Sequence, residues 1–548
     1  MAAPLSIVIA QINPVLGDLE GNRARIAEIC QKHHEQAALI VFPELTICGY
    51  PPEDLTLKPS FVTACMEAVK ALAKSTAALD CALLIGAPWW LDETAMALGD
   101  KPYNAALLLQ NGKIAAIQYK YDLPNYDVFD EQRFFQSGAL PKPITLNGHK
   151  IGVLICEDMW SAAPAQHLKD NGAELLIAIN ASPFTAQKYE KRLEIAKKRC
   201  LETALPLLYV NQIGGQDELV FDGGSFMLDA SGTLIKQCPF FEELIAEAQK
   251  HKIDIQPPPS ELERLYTAAC LGLRDYVLKN GFSGVLLGLS GGIDSALVAV
   301  MAADALGAAN VLSVMLPSPF TAQSSIDDAE TLARNLGIAL ETYPISTTLE
   351  SYEATIPALT GLAHENIQSR IRGTLLMALS NKSGKMLLTT GNKSEMATGY
   401  ATIYGDMNGG YNPVKDIYKT DIYKLCEWRN SRGGGVSGGN GAPVIPQNIL
   451  TKAPSAELRD NQTDQDSLPP YDTLDGILKL MIEGECSNAQ IVALGRGKFT
   501  KDMVRHIRSL LNRAEYKRYQ SAPGPKLTER AFGRNRRNPM TNHFADEA

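Results

Sequence analysis

Residues 288–296 read GLSGGIDSA, and this stretch decides the fold of the second half of the chain. It follows the apolar run 285–287, which has the length and composition of a buried parallel strand. Residues 296–306 are rich in Ala, Leu and Met and predict a helix that starts at the end of the loop. A strand, a glycine-rich turn and a helix direct backbone N–H groups and the positive end of the helix dipole at one point. The sequence therefore predicts an anion-binding loop.

The chemistry of this loop favours ATP over a turn without a ligand, which is the alternative for an SGG string alone. Two glycines let the backbone approach a phosphate closely, and two serines add hydroxyl donors. The loop lacks the lysine of the GxxxxGK[ST] motif. The SGGIDS string resembles the PP-loop of ATP pyrophosphatases, which split ATP between the α and β phosphates and adenylate a carboxylate. By this resemblance the ATP-binding loop comprises Gly288, Leu289, Ser290, Gly291, Gly292, Ile293, Asp294 and Ser295.

Composition excludes several classes of protein. A length of 548 residues predicts two to four domains, and 45% apolar with 21% charged residues is ordinary for a soluble globular protein. The net charge of -9 argues against a general binder of nucleic acid or of membrane surfaces. Ten cysteines without a CxxC pair or a Cys/His cluster fit a cytoplasmic protein with no structural metal site. We find no secretory signal and no run of membrane-spanning length.

The pattern of strands and helices divides the chain into two domains. Residues 1–250 alternate short apolar strands with amphipathic helices, and Asn111-Gly112 predicts a hairpin, which together indicate a mixed sheet with helices outside. Residues 251–260 contain three consecutive prolines and read as a linker. Residues 261–548 begin with a helix over 261–279 and continue with βα units, which predicts a doubly wound parallel sheet. The predicted strands of the two domains are 5–12, 38–42, 82–86, 105–110, 114–119, 150–156, 174–180, 206–211 and 225–228, then 285–287, 311–316, 340–344 and 386–390.

Two further segments have a distinctive composition. Residues 433–441 are mostly glycine and predict a flexible loop, because they carry too little side chain to pack. Residues 517–537 are basic and offer few residues for a core.

Three reactive residues of the first half each stand where a predicted strand ends: Glu44, Lys120 and Cys156. Strand ends converge on one crevice, so the three side chains can meet. Together they could hydrolyse an amide, with the cysteine as nucleophile, the glutamate as proton carrier and the lysine as oxyanion stabiliser. Glu157 and Asp158 should raise the pKa of Cys156, so a nearby cation is needed, and Lys120 is the candidate. Taken singly, each residue also has an ordinary structural explanation. Cys156 could be a buried hydrophobe, Glu44 a solvated or capping carboxylate at a turn, and Lys120 a lysine that points into water.

The strings around these residues resemble the signatures of the nitrilase superfamily. They are FPEL at 42–45, KYDLPNY at 120–126 and CEDMW at 156–160, and NASPF at 180–184 with FDEQRF at 129–134 are similar to its glutamine-hydrolysing branch. The resemblance implies an α-β-β-α sandwich with Glu44 as base, Lys120 as oxyanion stabiliser, Cys156 as nucleophile and Glu131 as a supporting acid. It also implies that glutamine is bound by Tyr126, Ser182 and Lys188.

The second half carries polar clusters after its later strands. Residues 389–395, TTGNKSE, end a strand, and Glu395 could complete a magnesium site with Asp294, although a capped turn is equally consistent with this string. Residues 399–412 are too polar and glycine-rich for a core and predict a loop that shapes a substrate site.

The strings SGGIDS, ENIQSRIRG, TTGNKSE, YGDMNGG, NPVKDIYKT and KAPSAEL resemble the glutamine-dependent NAD synthetases, and with the nitrilase-like signatures the likeness covers nearly the whole chain. It implies an adenine nucleotide α-hydrolase-like C-terminal fold. The implied reaction adenylates deamido-NAD with ATP and displaces AMP with ammonia from glutamine. Ile403, Tyr404 and Gly410 depart from the ammonia-only synthetases, so the contacts of loop 399–412 are not predicted. The residues carried over are Thr390, Lys419 and Ser455 for ATP, Asn366, Arg370, Glu395 and Lys526 for deamido-NAD, and Asp294 with Glu395 for Mg²⁺.

Ammonia is mostly protonated near neutral pH, so we expect a passage between the two sites that excludes water. By resemblance we also expect a homo-oligomer whose only other partners are ATP, deamido-NAD and glutamine, with no nucleic acid and no membrane. Two alternatives remain from other classes: a PP-loop enzyme that modifies tRNA, which would call for a basic face, and a regulatory protein that senses ATP without releasing AMP and pyrophosphate.

Overall fold

The computed structural model describes residues 5–92, 100–248, 257–433, 443–542 and 544. It divides into two compact units, one made of Met1–Gln216 with Val220–Pro259 and the other of Asp217–Leu219 with Ser260–Ala548. Of the predicted linker 251–260, residues 251–256 lie outside the described residues, as do residues 434–441 of the glycine-rich segment. No helix of the described part is long and apolar enough to cross a membrane.

The first unit contains two six-stranded mixed sheets. One has the order β14-β1-β2-β3-β4-β5 and the other β13-β12-β9-β8-β7-β6, while β10 pairs with β11. The strands up to residue 248 are β1 (Ile7–Gln11), β2 (Leu39–Val41), β3 (Ala82–Trp89), β4 (Tyr103–Gln110), β5 (Lys113–Tyr119), β6 (Ile144–Leu146), β7 (His149–Ile155), β8 (Leu175–Asn180), β9 (Leu207–Asn211), β10 (Ile213–Gln216), β11 (Leu219–Asp222), β12 (Phe226–Leu228), β13 (Leu234–Gln237) and β14 (Leu244–Glu247).

Apolar side chains from both sheets form a single core, in which Val41 and Leu84 of one sheet join Val153 and Ile179 of the other. The outer face of the second sheet packs on two helices, and the helix Pro59–Ser75 packs on β3 and β5 of the first sheet. This layering is the predicted α-β-β-α sandwich. The described helices of the unit are Leu19–His33, Pro59–Ser75, Glu131–Phe134, Ala162–Asp170 and Lys188–Thr203, with short 3₁₀ helices at His34–Gln36, Glu53–Leu57 and Cys156–Met159.

The predicted strands of this unit all form, and five short ones were missed. Asn111 and Gly112 both have positive φ, at 51° and 76°, and join β4 to β5 as the predicted hairpin. The missed strands are β6, β10, β11, β13 and β14, each of three or four residues, which is too short for alternation to be recognised.

The second unit holds a four-stranded sheet in the order β17-β16-β15-β18, and all three pairings are parallel. The strands are β15 (Val285–Gly288), β16 (Val311–Met315), β17 (Ala339–Thr342) and β18 (Met386–Leu388). After β15 the chain adds β16 and β17 on one side of that strand, and it then returns to add β18 on the other side. The carboxyl ends of β15 and β18 therefore flank a topological switch point, where α/β sheets bind ligands.

Helices surround this sheet, and the first of them, Glu261–Lys279, has the predicted bounds. The others are Ile293–Leu306, Gln323–Leu336, Ser346–Thr355, Gly361–Ser383, Lys393–Thr398, Lys419–Ser431, Gln447–Thr451, Tyr471–Ile482, Asn488–Leu494, Lys501–Arg513 and Glu515–Arg518, with 3₁₀ helices at Ala308–Asn310 and Asp464–Asp466.

The basic segment 517–537 carries few core residues, as predicted, but those few are well buried. Leu527 is fully buried and Phe532 lies in the apolar cluster of the last helices. The guanidinium carbons of Arg518 and Arg536 lie 4.7 and 5.4 Å from the centre of the Phe532 ring. The arginines thus pack by cation–π contact, which a count of charged residues does not reveal.

Candidate active sites

Glu44 follows β2 and is held by hydrogen bonds to both carboxylate oxygens. Its Oε1 accepts from Lys120 Nζ at 2.8 Å and from Asn104 Nδ2 at 2.8 Å, and its Oε2 accepts from the backbone N–H of Ala181 at 3.0 Å. The side chain is completely buried. A carboxylate fixed in this way keeps one orientation toward whatever lies beside it.

Lys120 follows β5 and lies between two acids. Its Nζ is 2.8 Å from Glu44 Oε1 and 2.8 Å from Glu131 Oε2, and the Tyr50 hydroxyl donates to Glu131 Oε1 at 2.7 Å. Burial disfavours the charged ammonium, but Glu131 and Glu44 outweigh it, so the pKa of Lys120 is raised well above its ordinary value. Lys120 is therefore a permanent buried cation.

Cys156 follows β7 at the first position of a 3₁₀ helix, with a φ of +48°. Burial raises the pKa of its thiol well above the ordinary value, Glu44 raises it further, and Lys120 acts in the opposite direction. Glu157 also raises the thiol pKa, as predicted, but burial is the larger cause. The resting thiol is neutral, so attack on a carbonyl requires a base, and Glu44 is the carboxylate that acts on it most strongly.

Two of the three residues predicted to bind glutamine, Tyr126 and Lys188, contact side chains of the turn that carries Cys156. The Tyr126 hydroxyl donates to Glu157 Oε1 at 3.0 Å, and Lys188 Nζ lies 4.6 Å from the centre of the Trp160 ring. Ser182 is buried, and its hydroxyl accepts from Arg192 Nε at 3.1 Å.

Several residues that surround this site were not predicted from the sequence. Asn104 lies inside the apolar strand β4, and Tyr50 lies in a loop, so neither stands in a pattern that indicates its contact with an acid. Arg192 lies on a helix with other charged residues, yet its guanidinium is buried and donates to Asp222 Oδ1 at 2.7 Å. Burial of a polar or charged side chain, rather than any motif, distinguishes these residues.

In the second unit, β15 leads through the glycine loop into the helix Ile293–Leu306. Gly291 has a φ of +77°, and a Cβ at this position would lie 2.2 Å from the carbonyl oxygen of Ser325. The Ser290 and Ser295 hydroxyls lie 3.0 Å apart, and the backbone N–H of Gly292 donates to Ser290 Oγ at 3.2 Å. Only glycine fits where the loop crosses the neighbouring segment.

Asp294, Glu395 and Lys419 meet beside this loop. Asp294 Oδ1 accepts from Asn392 Nδ2 at 2.9 Å, its Oδ2 pairs with the Lys419 ammonium, and Lys419 Nζ lies 3.8 Å from Glu395 Oε1. Burial and then Asp294 raise the pKa of Glu395 well above its ordinary value, and Lys419 only partly compensates.

The donor set fits magnesium held jointly with a substrate. Among the described residues there is no cluster of three or more metal-binding side chains. Mg²⁺ commonly takes one or two carboxylates and completes its shell with water and substrate phosphates. Asp294 and Glu395 beside a phosphate-type loop match that pattern.

Eight of the eleven residues predicted to bind ATP line one cavity of about 220 Å³, which also includes Lys452, Asp464 and Tyr400. Gly291 lines neither this cavity nor the second one beside it. A second cavity of about 250 Å³ shares Ser290, Thr390 and Asp406 with the first and is mostly apolar. Part of its lining, such as Thr389, Gly405 and Ala456, lies in strings that resemble the synthetase family, but its apolar residues Val314 and Leu376 lie in a strand and a helix without a motif, so the cavity was not predicted. From the first cavity, the predicted ATP contacts are Ser290, Gly292, Ile293, Asp294, Ser295, Thr390, Lys419 and Ser455, and from the second Gly288 and Leu289.

The residues predicted to bind deamido-NAD lie in three places, and one of them, Glu395, lines the cavity of the predicted ATP residues. Asn366 Oδ1 accepts from Thr402 Oγ1 at 3.0 Å, and Arg370 Nε donates to the carbonyl oxygen of Ile403 at 3.3 Å, so both bond to loop 399–412. Lys526 is buried, its Nζ donates to the carbonyl oxygen of Thr528 at 2.9 Å, and it does not line either cavity.

Comparison with known proteins covers both units. The carbon-nitrogen hydrolase family model matches residues 7–255, and the NAD synthase family model matches residues 265–521. The glutamine-dependent NAD(+) synthetase of Rhodobacter capsulatus is 47% identical over 557 residues, covering 99% of both chains. The chain belongs to the glutamine-dependent NAD(+) synthetase family.

Two further members support the assignment. The glutamine-dependent NAD(+) synthetase of Xanthomonas campestris pv. campestris is 44% identical over 100% of this chain and 99% of its own. The structure of the glutamine-dependent NAD+ synthetase of Acinetobacter baumannii, in complex with ADP, superposes with a TM-score of 0.76 at 37% identity and covers 99% of this chain and all of that one. The predicted family and fold class are thereby confirmed, and we set aside the tRNA-modifying and ATP-sensing alternatives.

Proposed function

We propose that the protein converts deamido-NAD to NAD with ATP, using glutamine as the nitrogen donor, and so acts as a carbon–nitrogen ligase. The observation that carries this proposal is the presence of two sites in one chain. Glu44, Lys120 and Cys156 suit amide hydrolysis, whereas the loop 290–295 with Asp294, Glu395 and Lys419 suits a nucleotide.

In the first reaction, which we assign to residues 1–250, Cys156 attacks the side-chain carbonyl carbon of glutamine. Glu44 takes the thiol proton and returns it to the leaving nitrogen, and ammonia departs as the thioester forms. The ammonium of Lys120 stabilises the oxyanion of the tetrahedral intermediate. Water then hydrolyses the thioester to glutamate. Tyr126, Ser182 and Lys188 hold the glutamine, and Glu131 keeps Lys120 charged and in place.

In the second reaction, which we assign to residues 261–548, the nicotinate carboxylate of deamido-NAD attacks the α-phosphorus of ATP, and pyrophosphate leaves. Ammonia then attacks the adenylated carboxyl carbon, and AMP departs. The loop 290–295, Thr390, Lys419 and Ser455 orient the phosphates, and Asn366 and Arg370 contact deamido-NAD from beside loop 399–412. When bound, Mg²⁺ at Asp294 and Glu395 would neutralise charge on the phosphates.

Lys526 has the weakest support as a contact of deamido-NAD, since it lies inside the C-terminal segment and outside both cavities. The apolar cavity beside Ser290 suits the adenine ring, because Val314, Leu316 and Leu376 offer apolar surface next to the phosphate loop.

Ammonia must reach the adenylate unprotonated, so we propose that it passes from one site to the other without release into water. A cytoplasmic location is supported by the ten cysteines, all of which are free thiols. A homo-oligomer is proposed on family likeness, and sedimentation velocity would test it.

The direct test is product analysis with ATP, deamido-NAD and either glutamine or ammonium. We expect NAD, AMP and pyrophosphate in equal amounts with both nitrogen sources, and glutamate only with glutamine. Formation of ADP and phosphate in place of AMP and pyrophosphate would contradict the proposal.

A further inference from the structure

The Asp158 carboxylate joins the two segments that carry Cys156 and Lys120. Asp158 is completely buried two residues after Cys156. Its Oδ1 accepts from the backbone N–H groups of Tyr121 at 3.0 Å and Asp122 at 2.8 Å. Its Oδ2 accepts from the backbone N–H of Ile155 at 3.0 Å. One side chain therefore bonds the residue before the nucleophile and the two residues after the lysine.

The backbone at Cys156 gives the bond to Ile155 a specific meaning. A φ of +48° lies in the left-handed region, which non-glycine residues adopt only where the surroundings hold them there. Ile155 lies immediately before Cys156, and Asp158 lies two residues after it. The hydrogen bond from the Ile155 N–H to the Asp158 carboxylate therefore closes the turn that contains Cys156.

The bonds to Tyr121 and Asp122 act on the other catalytic segment. Lys120 is the last residue before them, and its ammonium must lie where the oxyanion develops. Glu44 and Glu131 fix the tip of the lysine side chain, whereas Asp158 fixes the backbone from which that side chain starts.

We propose that Asp158 is a positioning residue for glutamine hydrolysis, which keeps the Cys156 turn and the chain after Lys120 in one relative position. This inference rests on the proposed glutaminase function. Since reacting groups must be placed within a fraction of an ångström, a shift of about 1 Å between these segments costs about 10²-fold in rate.

The chemistry of the contacts selects the variant. All three partners of Asp158 are N–H donors, so both of its oxygens must accept. In Asp158→Asn the volume is conserved, but the side-chain NH₂ faces an N–H group and the set of bonds cannot be completed. Asp122→Asn is the matched control, because the partner of Asp122 Oδ2 is the hydroxyl of Ser161, which an asparagine can also bond.

The experiment compares the full-length wild type, Asp158→Asn and Asp122→Asn. Burial raises the pKa of Asp158 to about 7, so assays at about pH 8 keep it mostly ionised. For Asp158→Asn we expect kcat of glutamine hydrolysis to fall about 10²-fold with KM for glutamine within about threefold of wild type. NAD formation from ammonium should stay at the wild-type rate, and Asp122→Asn should match wild type in both assays.

Three results would overturn the inference: an unchanged kcat, a rise in KM alone, or an equal loss of the ammonium-driven rate, which would reveal a general role in folding. The wild-type protein tests the proposed function separately, because its failure to hydrolyse any glutamine would refute that function and not the placement of Asp158.

Discussion

Both candidate sites place one buried lysine between two carboxylates, but they balance its charge differently. In the first, Lys120 lies 2.8 Å from Glu44 and 2.8 Å from Glu131, and the acids also bond to Asn104, Ala181 and Tyr50. In the second, Lys419 pairs closely with Asp294 but lies 3.8 Å from Glu395. In the first site both acids lie within hydrogen-bond distance of the lysine, which we call a closed set. In the second site only Asp294 does, which we call an open set.

The difference follows the charge of the substrates. Glutamine brings no charge to its reacting amide, so the first site must carry its own balance of acid and base. In the proposed reaction ATP brings a polyphosphate together with Mg²⁺, so the second site can leave Glu395 poorly compensated, and burial and Asp294 raise its pKa well above the ordinary value. Both sites contain one buried lysine and two acids, so the residue types alone do not tell the two sites apart. The distances from the lysine to both acids do.

The largest effect we expect comes from breaking the open set. Asp294→Ala removes the carboxylate that pairs with Lys419 and that we assign to Mg²⁺. NAD formation from glutamine and from ammonium should both fall by at least about 10³-fold, since charge stabilisation at phosphates supplies effects of that size. Asp327→Asn, an exposed carboxylate on the helix Gln323–Leu336, is the control and should leave both rates unchanged. A loss confined to the glutamine-driven rate would contradict the assignment.

The next prediction concerns the stability of the protein. It uses a buried lysine to which we assign a structural role and no catalytic one. Lys393 is completely buried, and its Nζ bonds to Glu483 at 2.7 Å, Asp416 at 2.8 Å and the carbonyl oxygen of Arg530 at 2.6 Å. Lys393→Met leaves two acids without their cation, so we expect a loss of about 3–5 kcal/mol in the free energy of unfolding.

Denaturant unfolding followed by tryptophan fluorescence measures this loss, and Lys424→Met is the control. Lys424 is exposed and pairs with Asp421 at 2.8 Å, so its replacement should cost at most about 1 kcal/mol. Equal losses of unfolding free energy in the two variants would show that Lys393 does not hold the C-terminal segment in place through its bond to Arg530.

The smallest effect is spectroscopic and tests the closed set. Since burial raises the pKa of Cys156 above its ordinary value, the thiolate fraction should stay low at neutral pH and rise only at higher pH. The difference in thiolate ultraviolet absorbance between wild type and Cys156→Ala, recorded across pH, should show no step below about pH 9. A step centred near neutral pH would mean that Lys120 outweighs burial and that no base is needed.

The strands that carry chemistry can be recognised in the sequence because each ends in a motif. Glu44 and Lys120 lie within hydrogen-bond distance, as the convergence of strand ends predicts, and Asp294 and Glu395 flank one lysine. The supporting residues could not be predicted in the same way. Asn104 and Tyr50 acquire their roles only when strands distant in sequence pack together, and short edge strands such as β14 carry too little pattern.

The C-terminal segment shows what composition alone does not reveal. It was predicted to be basic with few core residues, and the few that it has, such as Phe532 and Leu527, are buried, with arginines stacked on the aromatic ring. The placement of Lys526 inside this segment likewise depends on packing that its residue type does not indicate.

The central claim is that glutamine hydrolysis and amidation occur at two separable sites of one chain. The most direct measurement compares NAD formation from glutamine and from ammonium in Cys156→Ala, with the buried Cys200→Ala as the control. The glutamine-driven rate should fall by more than about 10³-fold while the ammonium-driven rate stays within about threefold of wild type. An equal loss of both rates, or retention of the glutamine-driven rate, would contradict the account.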